Sequence, residues 1–379
     1  MLKFFFSIIA WLLVSALGAQ NSTRLEIKSL PPYHTIGTAV YAAGSFNGWN
    51  PQDERFKFSN DDKGNYFFEL KLDPGKYEYK ITRGGWDKVE CKTGGAAIEN
   101  RLLKVENDKT VELTIEEWKD HFPAGSKLST ASNHVSIIDT AFLIPNLNRT
   151  RRVWIYLPPS YNNGMQKKYP VIYMQDGQNI FDESTSFSGE WGVDEYLDTA
   201  QLKECIVVGI DNGGEKRRNE YNPYDNSLFG KGEGDNYLDF LVKTLKPFIE
   251  KEFRVLKNKE NTFIAGSSMG GLISLYAVLK FPKVFGGAGV FSPAFWISGT
   301  KIFYDIKTKG GKVKAKIYFY GGKLEGENMV PDMQRAYEEM AKVSKSKMIT
   351  VIRDDGKHNE TAWRKEFPFF YEWINPKAP

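Results

Sequence analysis

One change of period, near residue 135, constrains this chain more than any other feature. Before it, short runs at residues 38–41, 66–72, 77–82 and 110–115 alternate apolar and polar side chains. A two-residue period is that of a strand with one buried face. Turn formers separate the runs: Asn47-Gly48, residues 61–64, Pro74-Gly75 and Gly84-Gly85. Residues 25–118 are therefore expected to form one small immunoglobulin-like β-sandwich. After the change, near-continuous apolar runs read as strands at 153–157, 171–174, 206–210, 262–265, 287–291, 317–320 and 348–352. Helical periods fall at 237–253, 269–281, 331–342 and 367–374. Strands that are apolar on both sides need helices on both sides. Residues 135–379 thus predict a doubly wound α/β domain, and the small, polar stretch within 119–134 predicts a linker.

Lys and Arg total 51 against 47 Asp and Glu, a net charge of +4. That near balance argues against a nucleic-acid or membrane-surface partner, either of which selects concentrated basic charge. Cys91 and Cys205, one in each expected domain, exclude a disulfide scaffold and predict two free thiols. Aromatic residues reach 14% and include 9 Trp, a type that fills cores and also stacks on sugar rings. At the N-terminus come Lys3, an apolar run over 4–14, and the small residues Ser15, Ala16, Gly18 and Ala19. This is the order of an export signal, and the run is too short to span a bilayer. Cleavage after Ala19 is expected, so residues 1–19 are the signal and the mature chain is secreted or periplasmic. No cysteine sits near the cut, so no lipid anchor is expected, nor any membrane partner after cleavage.

Chemistry concentrates in the second domain. Gly266-Ser267-Ser268-Met269-Gly270 lies between an expected strand and an expected helix. A Gly-x-Ser-x-Gly turn there forces the serine into a strained backbone and lifts its hydroxyl above the sheet. Ser268 is the expected nucleophile, and the helix N-terminus favours the negative charge that develops beside it. A serine hydroxyl needs a base. Of four histidines, only His358 lies late in this domain, after a strand, and it is the expected base. A carboxylate should lie between them in the chain, just past a strand. Glu325 is the choice on position, with Glu327 and Asp332 as alternatives. The tetrahedral oxyanion needs two backbone N–H donors: that of Met269, and that of Gln178 or Gly177 in the loop 175–181. No metal or organic cofactor is required for this chemistry.

Several stretches carry a resemblance. Residues 173–181 (YMQDGQNIF), 208–212 (VGIDN), 266–270 (GSSMG) and 356–358 (GKH) resemble the α/β-hydrolase esterase family of feruloyl and acetyl-xylan esterases. That family also holds enterochelin-esterase-like proteins and S-formylglutathione hydrolases. The resemblance covers about residues 135–375. It implies a Ser268–Glu325–His358 triad with an oxyanion site at Met269 and Gln178. Many members use Asp at the position of Glu325, and Gln175 stands where relatives often show His. In the first domain, residues 44–51 (GSFNGWNP), 77–80 (YEYK), Gly85-Trp86 and Asn100 resemble starch- and glycogen-binding modules. That resemblance implies sugar contacts at Trp49, Lys80, Trp86 and Asn100. Two Trp faces would stack on the rings while Lys and Asn bond the hydroxyls.

The expectation is a secreted serine esterase acting on a carbohydrate-linked acyl ester of feruloyl or acetyl type. Its substrate is the expected partner, and a first domain that holds polysaccharide would keep the enzyme near it by effective concentration. Trp191, Asp211, Arg218, Tyr221 and Trp296 are the expected pocket lining. A siderophore esterase is an alternative, favoured if Arg217 and Arg218 give a positive pocket. Acyl transfer to a sugar, or a sugar-binding protein with a silent hydrolase domain, are the others.

Overall fold

The computed structural model describes residues 21–61, 64–122, 128–163, 166–227 and 230–375. The expected signal at 1–19 lies outside the described residues. The first domain contains β1 (Asn21–Ser29), β2 (Tyr41–Gly44), β3 (Ser59–Asn60), β4 (Tyr66–Leu72), β5 (Gly75–Thr82), β6 (Glu90–Cys91), β7 (Arg101–Val105), β8 (Lys109–Thr114) and β9 (Glu117–Trp118). They form sheets of order β3-β4-β1-β8, β2-β5-β7 and β6-β9. Leu25, Ile27, Tyr79, Ile81, Leu103 and Trp118 fill the core between them. β1 and β7 were not foreseen, and β2 starts three residues later than the expected 38–41 strand.

The second domain contains β10 (Val135–Ile144), β11 (Arg149–Tyr156), β12 (Val171–Gln175), β13 (Ile206–Ile210), β14 (Thr262–Ser267), β15 (Gly287–Phe291), β16 (Lys316–Gly322) and β17 (Lys347–Arg353). Its helices are α1 (Val193–Thr199), α2 (Arg217–Glu220), α3 (Gly234–Phe240), α4 (Lys246–Glu252), α5 (Met269–Lys280), α6 (Lys301–Lys309), α7 (Met329–Val343) and α8 (Glu360–Ile374). The sheet order is β10-β11-β13-β12-β14-β15-β16-β17. β10, β11 and β13 pair antiparallel, and from β13 onward every pair is parallel. β12, β13, β14 and β15 are buried along their whole length, as strands covered on both faces must be. One cluster, around α3, α5 and α7, covers one face, and a second, around Trp191, Trp363 and Phe367, covers the other. This is the doubly wound α/β-hydrolase sheet expected from the period change, with its separate β-sandwich.

One helix end differs from expectation for a local reason. The helix expected to begin at 367 begins at Glu360, because the Asn359 side chain accepts from the Ala362 N–H at 3.0 Å and caps it there. Pro368 reads in sequence as a first-turn proline but lies inside the helix. Between α3 and α4 the wide π-turn Leu241–Leu245 joins the two helices without a break. Both thiols are free and buried. Among the described residues no helix is long and apolar enough to cross a membrane.

Candidate active site

Strands β12, β14, β15, β16 and β17 are consecutive parallel neighbours, so the segments after them gather along one edge of the sheet. Ser268 follows β14 with φ 58° and ψ −119°, a left-handed conformation that costs a non-glycine residue energy. The surroundings hold it there: Ser268 N–H donates to the Phe291 carbonyl at 2.9 Å, and its own carbonyl accepts from Leu272 and Ala294 at 3.1 and 3.0 Å. The glycines around it allow close approach. A Cβ on Gly266 would lie 2.9 Å from Gln175 Cβ, and one on Gly271 would lie 2.8 Å from the Phe291 oxygen. Met269 opens α5, where first-turn N–H groups lack intrahelical acceptors.

Glu325, in the loop after β16, is the carboxylate that meets His358: its Oε2 lies 2.8 Å from His358 Nδ1. The other oxygen, Oε1, accepts from Ser292 Oγ at 2.8 Å and from Gly322 N–H at 2.5 Å. Ser292 in turn accepts from Trp363 Nε1 at 2.8 Å, and the Trp363 ring stands edge-to-face with His358 at 5.2 Å. Trp363 and Gly322 N–H are donors only, so the hydrogens of this chain run one way, toward Glu325. Burial disfavours the charged form of His358, but the hydrogen bond and charge of Glu325 outweigh it and the pKa lies above the ordinary imidazole value. A carboxylate on Nδ1 fixes the tautomer that leaves the Nε2 lone pair free. Of the alternatives, Glu327 is exposed and ion-paired to Lys76 at 3.3 Å, and Asp332 sits in the first turn of α7.

The segment after β12 turns through Asp176, at φ 59°, into a 3₁₀ turn Gly177–Asn179. Asp176 is anchored by Asn212 Nδ2 at 2.7 Å and by Arg217 Nε and Nη2 at 2.6 and 2.8 Å. Gln178 accepts from Asn212 N–H through its side chain at 3.2 Å and from Thr185 Oγ1 through its carbonyl at 2.8 Å. Asn179 accepts from Phe187 N–H at 3.0 Å and donates to Glu360 at 3.1 Å. Burial raises the Glu360 carboxyl to about 7. Asn179, Ser292 and Glu360 were not foreseen. The only sequence signal for them was their position just beyond a strand or next to His358.

Two of the five expected lining residues are packed in the interior instead. Trp191 is in the core against Phe291 and Trp363, because the apolar stretch around it closes the face beneath α8. Tyr221 is fully buried and its hydroxyl accepts from Asp176 N–H at 3.2 Å. Asp211 is bound by Arg152 at 2.8 Å and by Trp154 Nε1 at 2.7 Å. Arg218 is half-buried, and Trp296 is exposed on the 3₁₀ turn after β15. Arg217 is committed to Asp176, so it is not free to make a positive pocket.

The β-sandwich meets this rim directly. Asn359 Nδ2 donates to Glu99 at 3.1 Å, and Trp86 stands edge-on to Phe187 with centroids 6.2 Å apart. Of the four expected sugar contacts, Lys80 is buried, Trp49 and Trp86 are half-buried neighbours at 6.3 Å, and Asn100 donates to Glu78 at 3.0 Å. The second half of the expected linker is tied to the α/β domain through Ser129 to Asp182 and Thr130 to Glu190, both at 2.9 Å.

Residues 144–370 match the family described as Putative esterase, and residues 33–121 match the pullulanase X25 domain. The first match spans more than half of the chain, so the chain belongs to that esterase family and is a carboxylic ester hydrolase of the α/β-hydrolase fold. It is 26% identical over 244 residues to the uncharacterised protein YbbA of Bacillus subtilis, covering 60% of this chain and 93% of that one. It is 27% identical over 241 residues to the endo-1,4-beta-xylanase/feruloyl esterase of Xylanibacter ruminicola, covering 62% of this chain but only 30% of that one. The enterobactin esterase of Shigella flexneri, solved in the presence of enterobactin, shares the fold over 91% of this chain and 90% of its own, with 17% identity and a TM-score of 0.51.

Proposed function

We propose that this chain is an exported serine esterase that removes an acyl group of feruloyl or acetyl type from a carbohydrate. The observation that carries it is the Glu325–His358 hydrogen bond of 2.8 Å on the same sheet edge as the strained Ser268. In this reading Ser268 Oγ attacks the acyl carbon as His358 Nε2 takes its proton. The N–H groups of Met269 and Gln178 receive the oxyanion, each worth about 2.7–4 kcal/mol in the transition state. Collapse expels the sugar alcohol, which leaves with the proton from His358. Water then attacks the acyl-enzyme as His358 takes its proton, and collapse returns that proton from His358 to Ser268 Oγ as the free acid departs. The carbohydrate part of the reading draws on the X25-like first domain and on the feruloyl-esterase relative.

A second reading, cleavage of a catecholate siderophore ester, draws on the layout shared with the enterobactin esterase over both domains. The commitment of Arg217 to Asp176 weighs against it, since an anionic catecholate needs free positive charge. A panel of methyl ferulate, acetylated xylan and a cyclic catecholate ester separates the two. Hydrolysis of either of the first two, lost in Ser268→Ala, supports the carbohydrate ester. Hydrolysis of the catecholate ester alone overturns it.

A further inference from the structure

β5 sits beside the loop after β16 that carries Glu325. Its odd-numbered residues Tyr79 and Ile81 point into the sandwich core, so Lys76, Glu78 and Lys80 share the opposite face. Those three meet the catalytic rim in order. Lys76 pairs with Glu327 at 3.3 Å. Glu78 is close enough for its charge to act on the His358 imidazole. Lys80 is close enough to Glu360 for each to act on the other. Asn179 joins this line to the tryptophan beside it. One end of its side chain bonds Glu360, and the other bonds the backbone of Phe187, on which Trp86 packs.

We propose that Lys80 and Trp86 form the alcohol-side subsite of the esterase, so that the sugar carrying the ester lies between the two domains beside His358. The inference rests on the ester-hydrolase reading above and assigns its leaving-group pocket. Lys80 is 8% exposed, yet its ammonium takes part in none of the hydrogen bonds or ion pairs among the described residues. Glu90, the charge that acts most strongly on it, is already held by Arg101. The Lys80 stem is buried, but its ammonium is not among the fully enclosed atoms, so its donors open on the rim, where sugar hydroxyls supply acceptors. Trp86 supplies the apolar edge of the same surface, half-covered by Phe187 and Trp49. Residues that would grip a glycan chain at a free surface are here turned toward the catalytic centre of their own chain. Selection of the alcohol and catalysis then share one site.

The test uses the full-length protein and one acyl group on two alcohols: a feruloylated arabinoxylan oligosaccharide and methyl ferulate. The measured quantity is the ratio of kcat/KM for the sugar ester to that for the methyl ester. Lys80→Met and Trp86→Ala each lower this ratio at least tenfold, through a higher KM for the sugar ester. An inactive fraction scales both rates alike and leaves the ratio intact, so poor folding does not imitate the effect. An unchanged ratio overturns the inference. The unesterified oligosaccharide gives an independent readout on the wild type, where it inhibits methyl ferulate hydrolysis competitively. Absent or non-competitive inhibition overturns the subsite as well. Failure to hydrolyse either ester removes the feruloyl reading and this inference with it. Methyl ferulate hydrolysis with an unchanged ratio removes this inference alone.

Discussion

Replacing Glu325 by Gln changes one atom, and the hydrogen-bond chain dictates which way the amide turns. Gly322 N–H can only donate, and it points at Oε1 from 2.5 Å. Trp363 Nε1 can only donate, so it occupies a lone pair of Ser292 and directs that hydroxyl's hydrogen at the same oxygen. The amide oxygen must therefore stay at Oε1, and its NH₂ must face His358 Nδ1. Nδ1 then has to accept, which moves the imidazole proton to Nε2, where a base must be empty. An acid-to-amide change that imposes the wrong tautomer lowers kcat by about 10⁴. At 1.36 kcal/mol per tenfold, that is about 5 kcal/mol of barrier. The assay is steady-state hydrolysis of 4-nitrophenyl acetate by Glu325→Gln, with Glu327→Gln as the control. Glu327 lies in an exposed ion pair with Lys76, and its amide should leave kcat within about twofold of wild type, since an exposed pair contributes little. A Glu325→Gln enzyme within tenfold of wild type refutes the tautomer argument.

Other outcomes follow from the same geometry. The pH profile of kcat/KM should rise with an inflection above the ordinary imidazole value of about 6.5, because only neutral His358 is a base and Glu325 raises its pKa; an inflection below that value contradicts the pairing. Glu360 is raised from 4.5 to about 7, so its contribution to stability is full below about pH 4.5 and lost as pH rises through 7. At 1.36 kcal/mol per unit the loss is about 3 kcal/mol, and urea unfolding at pH 5 and pH 8 should show a smaller pH difference in Glu360→Gln than in wild type. Glu220 is fully buried and bound by both Arg149 and Arg151. Glu220→Ala strands the Arg151 guanidinium, while Arg149 keeps Glu233, and should cost about 3–5 kcal/mol of unfolding free energy by urea titration, whereas a loss under about 1 kcal/mol would show that Arg151 rehydrates.

The sheet was legible because burial on both faces writes unbroken apolar runs; 206–210 and 287–291 are strands to the residue. Ser268, His358 and Glu325 were legible as candidates from position, since each follows a strand of one sheet edge, and the structure brings the last two within 2.8 Å. The supports were not. Ser292 has φ 43° and sits in an ordinary Phe-Ser-Pro stretch, and nothing local announces that it bridges Trp363 to Glu325. α8 begins seven residues before the helical period at 367–374 because its cap, Asn359, lies beside His358 in a stretch with no apolar period. Trp191 and Tyr221 carry the aromatic character of a pocket but pack in the core, a choice made by distant strands. The orientation of the sandwich was unreadable for the same reason. Trp86 and Phe187 touch across more than a hundred residues of chain, and only the two-residue period of β5 hinted which side chains face outward.

Phosphonylation with an alkyl 4-nitrophenyl phosphonate tests most directly whether Ser268 is the activated nucleophile. Such reagents trap only a serine whose proton a neighbouring base removes. One equivalent of 4-nitrophenol should be released per chain, with the mass added to the peptide holding Ser268, no addition in Ser268→Ala and slow addition in Glu325→Gln. An adduct on any other residue, or full ester turnover in a protein that the phosphonate leaves unmodified, would contradict it.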